Sequence, residues 1–442
     1  VKRVTGWAVS ALIGLAFIMG SLYLGITSFR KSQYKGDVEY YRDLPYMSPA
    51  AAARMNDVMS ASSSILSILG SGKIKNGDKL VNRQMSSTVM SLASKGAIAI
   101  YPGPAKLYDG IDLTTTNAAS VAGRLGSDAA TARKMKKTST IVIMPVARND
   151  IGSLLLSSSE HAALDILLKA SSRLRDTQVF DLKQMNKAFK HYKKGYKLLQ
   201  DFDTACSTEF DNLRAVDSSR GFLNNLVGIL GLVFAFYKGV QYAERGEIAV
   251  TMSICVPVVL ACAFALVYGK YHALTDNGQK YGGQVAGLKR YLLDFSDFSD
   301  RGVLDMTLWG RYMVYATAFG ISDKVMAQLT KAYPEVADPQ WLDEHAASSY
   351  MYMPLHSSSV MGASTGAAVG ASVAAASVFS ANYGDFGAQL SSSFADVRNT
   401  ISMAAPSSGG SGFGGGGSGG SFSGGGFDGG GGGSGGGSFG GR

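Results

Sequence analysis

Three stretches of the chain carry no charged side chain over lengths that match the thickness of a bilayer. Val4 to Phe29 (ending GWAVSALIGLAFIMGSLYLGITSF), Gly221 to Tyr237 (GFLNNLVGILGLVFAFY) and Ile248 to Gly269 are dominated by Leu, Ile, Val, Phe, Ala and Gly. About 20 apolar residues let a helix cross the hydrocarbon core, where lipid offers no partner to a backbone N–H or C=O. The second run reaches this length by continuing past Lys238, whose ammonium can snorkel to the interface. Pro257 inside the third is tolerated where neighbouring helices satisfy the freed carbonyl. Only GVQYAERGE parts the last two runs, which predicts a tight helical hairpin. The pattern predicts a multi-pass membrane protein with three transmembrane helices, over residues 4–29, 221–243 and 248–269. Lys2 and Arg3 imitate the start of a signal peptide, but the run is too long for one. Arg30-Lys31 also stands where small residues would mark a cleavage site.

The polar stretches alternate between helical and strand periods. Ser48-Pro49 opens PAAAARMNDVMSA with a capping serine and a proline at the first helical position. Met85, Val89, Leu92 and Ala93 recur at helical spacing, Lys95-Gly96 closes that helix, and Ala97 to Tyr101 reads as a short strand. Thr138 to Val146 is a second strand candidate. SSSEHAALDILLKA begins another capped helix, TQVFD is extended, and a further helix follows. There Leu182, Met185, Phe189, Tyr192, Tyr196 and Leu199 form an apolar stripe, with Lys183, Lys187, Lys190, Lys194 and Lys197 around it. Soluble units over 36–146 and 155–217 are predicted, mainly α (α+β, winged-helix-like). After the membrane, 283–345 is helical: Leu308, Trp309, Tyr312, Tyr315, Ala316 and Phe319 share a stripe, Gly320 ends that helix and Ser322 caps the next. A Ser/Ala/Gly-rich linker occupies 346–408; too little of it is strongly apolar for a fourth span. The tail 409–442 is glycine and serine punctuated by phenylalanine, which predicts a disordered segment.

Charge adds an orientation. The chain of 442 residues has a net charge of +9, and residues 30–220 alone carry an excess of about ten positive charges. Arg30, Lys31, Lys35, Arg214 and Arg220 flank the membrane on that side. The positive-inside rule then predicts the N-terminus outside and the middle domain and C-terminus in the cytoplasm. Three cysteines are too few for a disulfide framework.

Taken in order, EYYRDLP (Glu39 to Pro45), SLASKGAIAI, the paired membrane helices, RYLLDFSDFSD and LWGRYMVYATAFGISDKV resemble the DUF2207 (YciQ-like) predicted membrane proteins. The residues carrying this resemblance are Tyr41, Arg42, Pro45, Lys95, Gly96, Asp294, Trp309, Tyr312, Tyr315, Ala316 and Gly320. The resemblance implies a β-rich extracytoplasmic domain before the first span, which this sequence lacks, as a truncated chain or a reduced variant would. It brings no active site.

Chemical motifs are thin. His161, His191, His272, His345 and His356 are scattered without metal-ligand spacing. Gly362-Ala-Ser364-Thr-Gly366 spells a nucleophile elbow without a preceding strand. Asp294, Asp297 and Asp300 could hold a hard cation, but Phe295 and Phe298 between them read as an amphipathic turn with solvated acids. No catalytic, cofactor or metal site is expected. The expected role is a non-enzymatic membrane scaffold or adaptor with protein partners. The alternative is a membrane-tethered binder of nucleic acid or anionic lipid through a basic helix over 182–199, and the bland reading of those lysines is a solvated face.

Overall fold

The computed structural model describes residues 2–62, 80–125, 131, 134–217, 219–268, 273–298, 305–364 and 389–405. The tail 409–442, Asp300, His272, the stretch 365–388 of the linker and the side chains of the GASTG motif lie outside the described residues.

Among the described residues, three helices are long and apolar enough to cross a membrane: Val4–Ser32, Gly221–Ala243 and Ile248–Val267, hereafter TM1, TM2 and TM3. Their outer faces leave large apolar side chains bare, Leu12, Met19, Phe236 and Leu260 among them, as a lipid-facing surface requires. Small residues bring the backbones together. A Cβ on Gly14 would lie 3.2 Å from Val258 Cγ2, and one on Gly228 would lie 2.6 Å from Leu266 Cγ. Polar bonds fix the register at both ends of the bundle. Asn224 Nδ2 donates to Ser28 Oγ (3.0 Å) at one, and Trp7 Nε1 to Glu247 in the hairpin turn (2.8 Å) at the other. TM1 therefore runs antiparallel to TM2, with its start beside the turn.

The soluble residues build one body from both sides of the hairpin in sequence. Strands β1 (Ile98–Pro102), β2 (Ser139–Ile143) and β3 (Val179–Asp181) form an antiparallel sheet in that order. Ile100 faces Ile141, and Ile141 in turn faces Phe180. All of β2 is buried, as expected of a central strand with helices over it. The two units read from the sequence thus share a sheet, because β3 comes from the second. The main helices among the described residues are Pro49–Ser62, Leu80–Ser94, Ala118–Leu125, Ser158–Arg173, Leu182–Phe189, Gly195–Asn212, Asp276–Leu293, Met306–Phe319, Ser322–Ala332, Pro339–His345, Tyr352–Ser364 and 389–403, with shorter turns between them. Leu92, Ile141, Phe180, Phe202 and Phe210, which precede the hairpin, join Trp309, Met313, Val325 and Leu329, which follow it, in a single core. A core cannot be shared across a bilayer, so the described residues of 36–217 and 273–345 lie on the same side. A two-stranded ladder closes the base of the hairpin, pairing Val216 with Leu274 and Asp217 with Ala273.

Most predicted starts and stops hold at atomic detail. Ser48 Oγ accepts from Ala51 N (3.2 Å), and Ser157 and Glu160 make a reciprocal capping box. Gly96 and Gly320 end their helices at φ +76° and +71°, in the left-handed region that glycine enters freely. Two expectations need correction. Ser322 is the first helical residue rather than the cap, which is Ile321, so no side chain caps that helix. The basic helix over 182–199 is not continuous. It stops at Phe189, turns through Lys190 to Lys194, and restarts at Gly195. Lys187, Lys190 or His191, and Lys194 would stack at three- and four-residue steps, where like charges repel along a helix. Gly195 is also a poor helix former. It is buried where a Cβ would come within 2.9 Å of Ile401 Cγ2, so the break lets segment 389–403 pack closely.

Candidate functional site

The segment that leaves TM1 has no regular structure, and aromatic hydroxyls bind its backbone. Tyr312 Oη donates to the Arg42 carbonyl (2.6 Å) and Tyr315 Oη to the Met47 carbonyl (2.7 Å). Burial pushes the Tyr312 phenol up to about 12 and Tyr315 higher still, so both remain protonated donors. From the neighbouring helix Arg290 donates to the Val38 carbonyl (2.7 Å) and lies 4.6 Å from the Tyr40 ring centre. Tyr40 Oη donates to Asp294 Oδ2 (3.0 Å). The Arg42 guanidinium stands 5.8 Å from the rings of both Tyr291 and Phe298. Trp309 meets Phe295 edge-on at 4.7 Å beneath this strap. Gly287 allows the close approach: a Cβ there would lie 2.4 Å from the Glu39 carbonyl oxygen.

At the end of the seam opens a half-enclosed cleft of about 350 Å³. Leu44, Met47, Pro49 and Val314 give it apolar walls, and Lys95, Glu160 and Arg311 are its charged groups. Lys95 is the last residue before Gly96 turns the chain, which projects it from the end of helix Leu80–Ser94. Its Nζ donates to Glu160 Oε2 (2.6 Å) and to the Leu155 carbonyl (3.0 Å). Glu160 is 1 % exposed and takes two further donors, Ser91 Oγ (2.5 Å) and Ser157 N (2.7 Å). Glu209 sits behind, accepting from Ser159 N (2.6 Å), Ser159 Oγ and Ser48 Oγ. Both carboxylates thereby accept backbone N–H groups at the start of helix Ser158–Arg173, while Ser48, which caps the helix from Pro49, donates its hydroxyl to Glu209. Arg311 is exposed and has no ion-pair or hydrogen-bond partner among the described residues.

A family model described as the C-terminal domain of predicted membrane protein DUF2207 matches residues 37–329. This chain belongs to the DUF2207 family. The match begins where TM1 ends and covers the strap, both halves of the core and the hairpin. No curated protein and no solved structure matches the chain.

Nine of the eleven residues that carried the DUF2207 resemblance meet along the strap and cleft. Tyr41, Arg42 and Pro45 are in the strap, Asp294, Tyr312 and Tyr315 bond it, Trp309 packs on Tyr312, and Lys95-Gly96 bounds the cleft, while Ala316 is buried in the common core. Gly320 stands apart, at a helix end beside Arg83. Asp294 and Asp297 are half or more exposed or near it, and bind Tyr40 and Lys331, as solvated acids would. Among the described residues no group of acids, histidines or cysteines is placed to hold a metal. Lys183, Lys187, Lys190, Lys194 and Lys197 are all exposed, while Leu182, Met185, Phe189 and Leu199 are buried. None of the five lysines has an ion-pair partner among the described residues. Sequence reasoning missed Glu160 and Arg311 as site residues. Glu160 was visible only as a cap, and nothing in spacing ties it to Lys95, 65 positions away.

Proposed function

We propose that this DUF2207 protein is a membrane-anchored adaptor, which holds one soluble body against the cytoplasmic face and offers its lysine-rich turn to a protein partner. The observation that carries this reading is the shared core: segments from both ends of the membrane hairpin fold into one body that three helices tie to the bilayer. Exposed Arg30, Lys31, Lys35 and Arg214 at the body's edge of the membrane support the cytoplasmic placement and an external N-terminus. The test is photo-crosslinking in cells from an amino-acid probe at Lys190, with a control at exposed Asp150. Discrete protein adducts at Lys190, lost when Lys187, Lys194 and Lys197 are changed to Glu, are expected. Absence of protein adducts from Lys190 contradicts the adaptor.

A second reading follows from the same five lysines, which stand free of ion pairs among the described residues. In it, the turn binds phosphates of nucleic acid or anionic lipid, and the winged-helix-like order of helices and strands belongs to this alternative. The full chain in neutral nanodiscs would then bind duplex DNA or anionic vesicles with the logarithm of affinity falling linearly in log salt. A flat salt response rejects it.

A further inference from the structure

The cleft at the end of the strap has an unmatched cation. Lys95 and Arg311 contribute two positive charges and Glu160 one negative, so the lining is left with +1. The excess resides on Arg311, whose guanidinium is exposed and unpaired among the described residues. Lys95 spends two protons on Glu160 and Leu155 and keeps a third. The hydroxyls are oriented the other way: Ser48, Ser91 and Ser94 already donate, to Glu209, Glu160 and the Ser91 carbonyl, and offer only lone pairs. Leu44, Met47, Pro49 and Val314 supply an apolar wall.

We propose that this cleft binds a monocarboxylate on a short apolar stem, with Arg311 gripping the carboxylate and Lys95 adding one bond. Three facts select that chemistry. A guanidinium fork matches the two oxygens of a carboxylate. A net lining charge of +1 neutralises a monoanion, whereas a phosphate monoester carries nearly two charges and would face the Glu160 carboxylate. The volume of about 350 Å³ suits a small molecule or a terminal residue rather than a large cofactor. Free acid and peptide C-terminus share this chemistry.

The test is calorimetric titration of the full chain in zwitterionic nanodiscs with four probes. These are 4-methylpentanoate, N-acetyl-Ala-Leu as free acid, the same peptide as its amide, and inorganic phosphate. At least one acid should bind at least about tenfold more tightly than the amide, because the amide lacks the charge-assisted bonds. Tighter binding of the peptide acid assigns the site to chain termini, and tighter binding of 4-methylpentanoate assigns it to free acids. Arg311→Gln should weaken binding of that acid at least about tenfold. Arg311→Lys, keeping charge without the fork, should fall between. Because Arg311 is exposed and holds no ion-pair or hydrogen-bond partner among the described residues, both variants should unfold at the wild-type temperature. Equal binding of acid and amide, preferential binding of phosphate, binding of no probe, or wild-type affinity in Arg311→Gln would each overturn the proposal.

Discussion

Glu160 shows how one side chain can set a local structure without being recognisable as its centre. It caps helix Ser158–Arg173 and binds both Lys95 and Ser91 at the end of helix Leu80–Ser94. Buried carboxylates of this kind hold their place through donors, and neutralising one weakens every bond it accepts. Glu160→Gln keeps the shape and should cost about 2–3 kcal/mol in denaturant unfolding of the detergent-solubilised chain. A loss below about 0.5 kcal/mol would mean that the network is not formed. A second residue carries a pH signature. His356 is mostly buried on helix Tyr352–Ser364, with the Asp343 carboxylate 4.0 Å from Nε2 and bound also by Tyr352 Oη. Burial depresses the imidazole pKa, and Asp343 opposes this only in part. A depressed folded pKa means that acid favours the unfolded chain, so this contribution is intact above the ordinary imidazole range and lost as pH falls through it. Between about pH 7.5 and about pH 5 the wild type should lose stability relative to His356→Asn, read by thermal unfolding at each pH. A constant difference would refute it.

Elements were legible where a local rule decides them. The caps at Ser48 and Ser157, the glycine stops at residues 96 and 320, and the charge-free spans all depend on neighbours within a turn or two. The break at Lys190–Lys194 was not legible, because Leu182 to Leu199 keep a helical stripe through it. The packing that uses it lies about 200 residues away: Ile401 against Gly195, and Arg398 paired to Asp203 through two bonds of 3.1 and 2.7 Å. Leu390, Phe394, Val397 and Ile401 bury the apolar side of segment 389–403 in the common core. Gly195→Ala should therefore loosen that segment at a cost of about 1 kcal/mol or more, since Ile401 is fully buried and has little room to move. Hydrogen exchange across 389–403 should speed up, while helix Ser158–Arg173 keeps its protection. Unchanged exchange in both would show that the close contact at Gly195 is not formed.

For the whole molecule, the governing fact is that the membrane hairpin is an excursion from a single soluble body. The sequence announced the spans and a positively charged middle but divided the soluble residues by their order along the chain. Nothing local connects EYYRDLP with LWGRYMVYATAF, some 270 positions on, although Tyr312 and Tyr315 hold the former by its backbone. The candidate cleft was hidden for the same reason, as its charged residues come from three separate helices. Side-chain chemistry supplies a clean probe of this architecture, because Cys206, Cys255 and Cys262 are all buried. Single cysteines at exposed Asp150, Arg245 and Glu344 can be labelled in sealed membranes with an impermeant thiol reagent. Asp150→Cys and Glu344→Cys should react from the same side, and Arg245→Cys, in the hairpin turn, from the other. Labelling of positions 150 and 344 from opposite sides, or of all three from one side, would contradict a shared body based on a membrane-crossing hairpin.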